Sequence, residues 1–263
     1  MALHFREGQF SGRHVFVTGG SSGINLRLAE AFGQAGAKVS ILGRKQDKLD
    51  AALALLKSQG TTAQAFSADV RDYAAVDGAL TKAVEAFGAL DVLVCGAAGN
   101  FPAPAMAMSS NGFKAVLDID VLGTFNACRA AFEKFKTPGA SVINISAPQA
   151  SVAYPMQSHV CAAKAGVDML TRTLAMEWGG AGIRVNSISP GPIDETEGMS
   201  RLAGDADARK KVEATVPLQR LGTKDDIANL ALFLASDAAS YVTGSVYACD
   251  GGMQLMGGTF MQL

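Results

Sequence analysis

The sequence predicts a doubly wound α/β domain with a parallel sheet, and three observations carry that prediction. Short β-branched runs alternate with longer helical patterns from end to end, the strands are continuously apolar, and no linker or composition break interrupts the 263 residues. Continuous apolar strands are what a sheet covered by helices on both faces requires. With 49% hydrophobic and 18% charged residues, the chain can bury one large core, and disorder is excluded. A single domain over residues 1–263 is therefore expected.

Arg13–Thr18 (RHVFVT) reads as the first strand, with a helix over Ser22–Ala35. Lys38–Leu42 (KVSIL) is the second strand, and a helix over Asp47–Ser58 follows. Thr62–Phe66 is a weaker third strand before a helix over Asp72–Phe87. Leu90–Cys95 (LDVLVC) is a fully buried fourth strand, and Asn111–Lys136 reads as one long helix. Ser141–Ile145 (SVINI) precedes a second long helix, Ser158–Gly179, and Arg184–Ile188 (RVNSI) is the sixth strand. Lys224–Leu234 is helical, and Ser245–Ala248 begins the last strand. Pro190–Val212, rich in Gly, Pro and charge, is the least regular segment. It reads as a mobile lid over the carboxyl edge of the sheet, where ligands of such folds bind.

Twenty-three Lys and Arg against 24 Asp and Glu give a net charge of −1. No clustered basic excess is present, so neither a nucleic-acid nor a membrane-surface partner is expected. Val92–Phe113 and Thr137–Ala163 lack charge, but Asn, Pro and Ser interrupt both, and neither makes a membrane span. Arg6 and Glu7 stand where a signal peptide needs apolar residues, so no export is expected. Cys95, Cys128, Cys161 and Cys249 form no CxxC pair and no Cys/His cluster. They read as small hydrophobes in a reducing cytosol, and no metal site is expected.

The first strand runs directly into Thr18–Asn25 (TGGSSGIN). Glycines in such a turn let backbone N–H groups approach a pyrophosphate, and the following helix N-terminus adds partial positive charge. Gly19, Gly20, Ser21, Ser22, Gly23 and Ile24 are thus candidate dinucleotide contacts of a Rossmann-type unit. Here the chain resembles the short-chain dehydrogenase/reductase family, over nearly its whole length. The family's TGxxxGxG is matched at Thr18, Gly19 and Gly23, with Asn25 replacing the third glycine. The resemblance places Asp69 and Val70 against adenine. It places Gly96-Ala97-Ala98-Gly99 where the family carries NNAG, under the nicotinamide ribose. It also places Pro190-Gly191-Pro192-Ile193 beside the nicotinamide, and SYVTGSVYACDGG (Ser240–Gly252) resembles the closing strand. Asn25 must be accommodated where close helix–strand packing is usual, which bears on cofactor affinity.

After the second strand, Gly43-Arg44-Lys45 has no carboxylate until Asp47. An acidic residue there binds both ribose hydroxyls of NAD, whereas a guanidinium can hold a 2′-phosphate by paired, charge-assisted hydrogen bonds. NADP is therefore the expected cofactor, with Arg44 and Lys45 at its phosphate; a solvated surface arginine is the plain alternative.

The family's usual alcohol–carbonyl chemistry uses a Tyr four residues before a Lys, an upstream Ser, and an Asn on the preceding long helix. Lys164 fills the lysine position and, by the same resemblance, holds the nicotinamide ribose. Val160 stands four residues before it, Ala147 takes the serine position and Asp120 the asparagine position. Tyr154, ten residues before Lys164, reads either as a loop aromatic packed on the lid or as a substitute phenol. His159, five before, points off the lysine's face and reads as structural.

These departures resemble one branch of the family, the 2,4-dienoyl-CoA reductases of peroxisomal type. Similar segments are CGAAGNF (Cys95–Phe101), LDIDVLGTFN (Leu117–Asn126), AMEWGGAGIRVNSISPGPI (Ala175–Ile193), TEGMSRL (Thr196–Leu202) and VPLQRLGT (Val216–Thr223). The resemblance implies NADPH-dependent reduction of a 2,4-dienoyl-CoA thioester to a 3-enoyl-CoA in unsaturated fatty acid degradation. Asp120 and Lys164 would then be catalytic, with a water held between them protonating the α carbon. Arg71, Phe101, Ser109, Asn111 and Arg201 would line the acyl-CoA channel, the two arginines pairing with CoA phosphates or standing as plain surface residues. A homotetramer assembled on the two long helices is implied as well. Two rivals stay open: another reductase of the family acting on a carbonyl or activated alkene, and a catalytically silent NADP-binding scaffold. The C-terminal FMQL is unlike an SKL-type peroxisomal address, so a cytoplasmic location is expected.

Overall fold

The computed structural model of the protein describes residues 8–258. Seven strands form one parallel sheet: β1 (His14–Thr18), β2 (Lys38–Gly43), β3 (Ala63–Ser67), β4 (Val92–Cys95), β5 (Ser141–Ile145), β6 (Arg184–Pro190) and β7 (Val246–Cys249). Their order is β3-β2-β1-β4-β5-β6-β7, so the winding reverses between β1 and β4. A crevice opens at the carboxyl ends of strands flanking such a reversal.

Side-chain alternation along β1 explains the two-layer cover. Val15 and Val17 pack with Leu28 and Phe32 of α1 (Gly23–Gln34), Leu49 and Leu56 of α2 (Gln46–Ser58), and Ile227 of α9 (Lys224–Ala235). Phe16 faces the other way, with Leu80 of α3 (Tyr73–Phe87), Cys128 of α5 (Gly123–Ala131), and Trp178 of α6 (Ser158–Trp178). Each fully buried side chain of this size contributes about 1.5–3 kcal/mol. Cys95 and Cys128 sit inside the second layer, with their Sγ atoms 3.8 Å apart.

Two expectations need correction. The helix read over Asn111–Lys136 is not uniform: α4 (Ser110–Leu117) passes into a π-helical turn at Asp118–Leu122, then α5, then a 3₁₀ turn at Phe132–Lys134. Hydrophobic period cannot register one widened turn, because its neighbours keep helical spacing. The segment read as irregular, Pro190–Val212, contains α7 (Glu197–Leu202) and α8 (Ala206–Ala214). Helices this short carry too few turns to show a period. Their start signals were nonetheless present: Thr196 accepts from Met199 N and Asp205 from Ala208 N as N-caps. No helix among the described residues is long and apolar enough to cross a membrane.

Candidate active site

The β1–α1 turn is shaped to receive an anion. Gly19 and Gly23 have φ of +69° and +60°, conformations that side chains other than glycine rarely adopt. Ser22, the N-cap of α1, makes no side-chain capping bond, and the first turn holds no acidic residue. The leading N–H groups of α1 are thus left without a side-chain acceptor, which suits a pyrophosphate. Gly20 lies so close to β2 that a Cβ would stand 2.8 Å from Ile41 Cγ2.

At the end of β2, Arg44 and Lys45 are exposed and no carboxylate precedes α2. Arg44 reaches within 4.0 Å of Asp69 after β3. Asp69 is itself gripped by Arg71, whose Nε and Nη2 donate at 3.0 and 2.6 Å. Those Arg71 hydrogen bonds hold the Asp69 carboxyl below its ordinary range. Val70 is pinned against α5: its carbonyl accepts from Asn126 Nδ2 at 2.9 Å, and a Cβ on Gly123 would strike its Cγ2 at 2.6 Å. The exposed cations of Arg44 and Lys45 thus stand near the glycine turn, where a Cβ on Gly43 would lie 3.2 Å from Ser21 Oγ.

At the centre stand Asp120 and Lys164, brought together from the π turn and α6. Asp120 is 1% exposed and Lys164 7%. Asp120 Oδ1 accepts from Gly99 N at 2.8 Å, and Oδ2 lies 3.2 Å from Lys164 Nζ. Lys164 Nζ also donates to Ile145 O at 3.0 Å. The π turn thus aims a carboxylate at both the β4 loop and the α6 lysine. The two charges are in direct contact, and a water hydrogen-bonded to both would sit beside the pair. Asp168, one turn beyond Lys164 on α6, is a second buried carboxyl that sequence reasoning missed, although the four-residue spacing signalled it. Burial pushes its titration upward, opposed by Ser146, Arg172, Ser187 and Lys164.

Where the family's tyrosine would stand, Val160 is 2% exposed within an apolar cluster with Val116 and Ala163. It offers no proton. Ala147 is the extended N-cap of a 3₁₀ turn, Pro148–Ala150, after β5. Burial, then nearby Asp250 and Cys161, push the Tyr154 phenol above its ordinary value, away from proton donation near neutrality. His159 is fully buried; its Nε2 lies 2.9 Å from Phe101 O and its ring 4.6 Å from the Phe101 ring. Nothing in the sequence could signal that pairing, since the two residues are 58 apart.

Phe101 and Ser109 gather at the start of α4, where a Cβ on Gly112 would lie 3.4 Å from Phe101 Cζ and 3.1 Å from Ser109 Oγ. Ser109 caps that helix through Gly112 N, and Asn111 is exposed on its first turn. Arg71 is committed to Asp69, and the Arg201 side chain lies outside the described residues. After β6, Gly191 abuts the end of β7, where its Cβ would meet Asp250 Cα at 2.5 Å, and Ile193 bridges to Gly222. Pro192 and Ile193 border a cavity of about 420 Å³, and another of about 470 Å³ lies under α7 and α8. Both flank the end of β6, and neither is lined by the buried Asp120 and Lys164. Among the described residues, no group of three or more His, Cys, Asp and Glu is placed to hold a metal.

Residues 19–254 match the family described as enoyl-(acyl carrier protein) reductase. The chain belongs to the short-chain dehydrogenase/reductase family. The chain is 47% identical over 244 residues to the "Peroxisomal 2,4-dienoyl-CoA reductase [(3E)-enoyl-CoA-producing]" of Pongo abelii, covering 92% of this chain and 83% of that one. It is 42% identical to a Bacillus subtilis (strain 168) protein named "Probable 2,4-dienoyl-CoA reductase [(2E)-enoyl-CoA-producing]", covering 92% and 96%. Among solved structures, this short-chain reductase is similar to a dehydrogenase/reductase from Sinorhizobium meliloti 1021, with TM-score 0.87, 31% identity, and 94% and 97% covered. It is also similar to a gluconate 5-dehydrogenase from Burkholderia cenocepacia J2315 in complex with NADP and tartrate, with TM-score 0.86, 29% identity, and 95% and 98% covered. The family binds a nicotinamide cofactor.

Proposed function

We propose that this short-chain reductase uses NADPH to reduce 2,4-dienoyl-CoA thioesters to 3-enoyl-CoA in unsaturated fatty acid degradation. One observation carries the reading: a buried Asp120–Lys164 pair at 3.2 Å stands where Val160 removes the usual phenol. NADPH, when bound, supplies a hydride to the δ carbon of the dienoyl chain. Reduction of a conjugated thioester forms no alcohol, so no phenol is required at a carbonyl oxygen. Lys164 offers a cation to the negative charge that collects on the thioester oxygen, and holds the nicotinamide ribose. Asp120, fixed by Gly99 N and Lys164, orients a water beside the pair that protonates the α carbon. Gly19, Gly20, Ser21, Ser22, Gly23 and Ile24 hold the pyrophosphate, with Asp69, Val70, Ala97, Ala98 and Gly99 under adenosine and nicotinamide. Pro190, Gly191, Pro192 and Ile193 close the nicotinamide side, and Arg44 and Lys45 select NADPH. Phe101, Ser109 and Asn111, with Arg71 and Arg201, receive the acyl-CoA, and residues 190–212 act as its lid.

The Bacillus relative's name gives a second reading of the product, with the proton delivered to the γ carbon to leave a 2-enoyl-CoA. A homotetramer belongs to the same proposal. Leu122 at the end of the π turn, Phe125 on α5, and Met169 and Met176 on α6 are 42%, 43%, 58% and 86% exposed, an apolar surface suited to a four-helix contact. Location in the cytoplasm is also proposed; several relatives carry "Peroxisomal" in their names, and cell fractionation separates the two. The deciding experiment mixes purified protein, NADPH and a short 2,4-dienoyl-CoA, follows cofactor oxidation, and identifies the product by NMR. Oxidation with a 3-enoyl product supports the reading. NADPH binding without oxidation by any dienoyl-CoA, enone or ketone would leave a silent scaffold instead.

A further inference from the structure

We infer that Asn25 is a positioning residue of the dinucleotide cleft, whose amide clasps the Gly19–Gly23 turn to the Gly96–Gly99 loop and thereby confines position 96 to glycine. The inference rests on the nucleotide reading of the cleft above. Its geometry is direct. Asn25 Nδ2 donates to Gly96 O at 2.7 Å. Thr18 Oγ1 accepts from Gly96 N at 3.1 Å and Ala97 N at 3.4 Å. The Gly96 peptide groups are therefore held at both ends, by the residue entering the glycine turn and by one just beyond it. The two loops touch so closely that a Cβ on Gly19 would lie 2.9 Å from Ala97 N and 3.1 Å from Asn25 Nδ2.

Position 96 is glycine for a reason of volume. Gly96 is not among the residues with positive φ, so backbone freedom does not account for it. A Cβ there would stand 2.1 Å from Asn25 Oδ1, 2.4 Å from Cγ and 2.5 Å from Nδ2, inside the amide itself. The amide cannot swing away without breaking its bond to Gly96 O. Asn25 Oδ1 is buried and has no hydrogen-bond partner, a cost that glycine at 25 would avoid. The two departures from the family pattern, a side chain gained at 25 and one lost at 96, are thus one exchange across the cleft. Its consequence reaches the reacting centre, because Gly99 at the end of the same loop donates to Asp120. The clasp sets the spacing between the pyrophosphate turn and the loop beneath the nicotinamide ribose.

Four proteins test it: wild type, Asn25→Gly, Gly96→Ala, and the double variant. NADPH affinity is measured by fluorescence titration without substrate, and the melting temperature of the free protein is measured alongside. A net hydrogen bond of ordinary strength corresponds to about 3–10-fold in affinity, and Asn25→Gly should weaken NADPH binding by that factor. The KM for acyl-CoA should stay within about twofold, which a general loss of structure would not allow. Gly96→Ala alone should lower the melting temperature by several degrees, and in the Asn25→Gly background at least half of that loss should disappear. If Gly96→Ala does not fold, soluble protein from the double variant gives the same answer. Unchanged NADPH affinity in Asn25→Gly, or a Gly96→Ala loss equal in both backgrounds, overturns the clasp. Wild type that binds no NADPH overturns the nucleotide reading and the positioning role together, and is plainly distinct from wild type that binds while the losses merely add.

Discussion

Two ion pairs join separate elements, a floor pair buried at the centre of the candidate site and a roof pair in the segment after β6, and they differ in the property that decides their worth. The floor pair, Asp120 and Lys164, is 3.2 Å apart with side chains 0% and 9% exposed. The roof pair, Asp194 after β6 and Arg209 on α8, is bidentate at 2.6 and 2.8 Å, with side chains 32% and 43% exposed. By distance alone the roof pair is stronger. Water and salt screen it, however, and both partners hydrate well when parted. Neither floor charge can recover its solvation, so removing one strands the other, at about 3–5 kcal/mol. Depth, not length, separates the two pairs.

The sharpest way to break this comparison is at the floor. Lys164→Ala should lose turnover and NADPH affinity together, because on the proposed reading the ammonium serves both the reacting chain and the ribose. Asp120→Asn should lower kcat by about 10²–10⁴-fold while NADPH affinity stays within a few-fold, since on the proposed reading its carboxylate acts chiefly on proton transfer and the amide can still accept from Gly99 N. Equal loss of NADPH binding in both variants would show that the pair acts as one structural unit.

The roof should respond more mildly. Arg209→Ala should raise the acyl-CoA KM several-fold, with kcat and the melting temperature nearly unchanged. A melting temperature as depressed as in Asp120→Asn would erase the distinction drawn here.

Acid sharpens the contrast near α9. Asp226 closes a capping box with Thr223 and accepts from Arg220, and that Arg220 contact, with the Thr223 bonds, lowers its carboxyl to about 2. A depressed carboxyl contributes its stability above the ordinary value of 3.8 and loses it as pH falls through about 2. Melting curves from pH 5 to pH 2 should therefore fall for wild type. In Asp226→Asn they should start lower by about 0.5–2 kcal/mol, the range for a helix cap, and fall less. The smallest effect is expected from Tyr154→Phe, where turnover should change by less than about twofold. A loss there comparable to Asp120→Asn would transfer the proton step to the phenol.

Much of this protein is set by local pattern, and local pattern is what a sequence displays. Apolar runs such as RHVFVT and LDVLVC, separated by helical spacing, determined the parallel sheet and its two-sided cover, because burial on both faces demands them. TGGSSGIN, Gly43-Arg44-Lys45 and the Val160/Lys164 spacing stand out for the same reason: each is a short stretch whose residue pattern is visible without the rest of the fold. What the sequence could not decide lies in contacts between segments far apart in it. The π turn exists within an unbroken helical period, and its carboxylate meets Gly99 from 21 residues away. His159 finds Phe101 across 58 residues, and Asn25 finds Gly96 across 71. Arg71 was legible as a cation, but its commitment to Asp69 depends on how the turn after β3 folds back on itself. Periodicity and motif fix which face a residue occupies; only the packed chain brings two such faces within hydrogen-bond distance, and there the tertiary structure alone chose the partners.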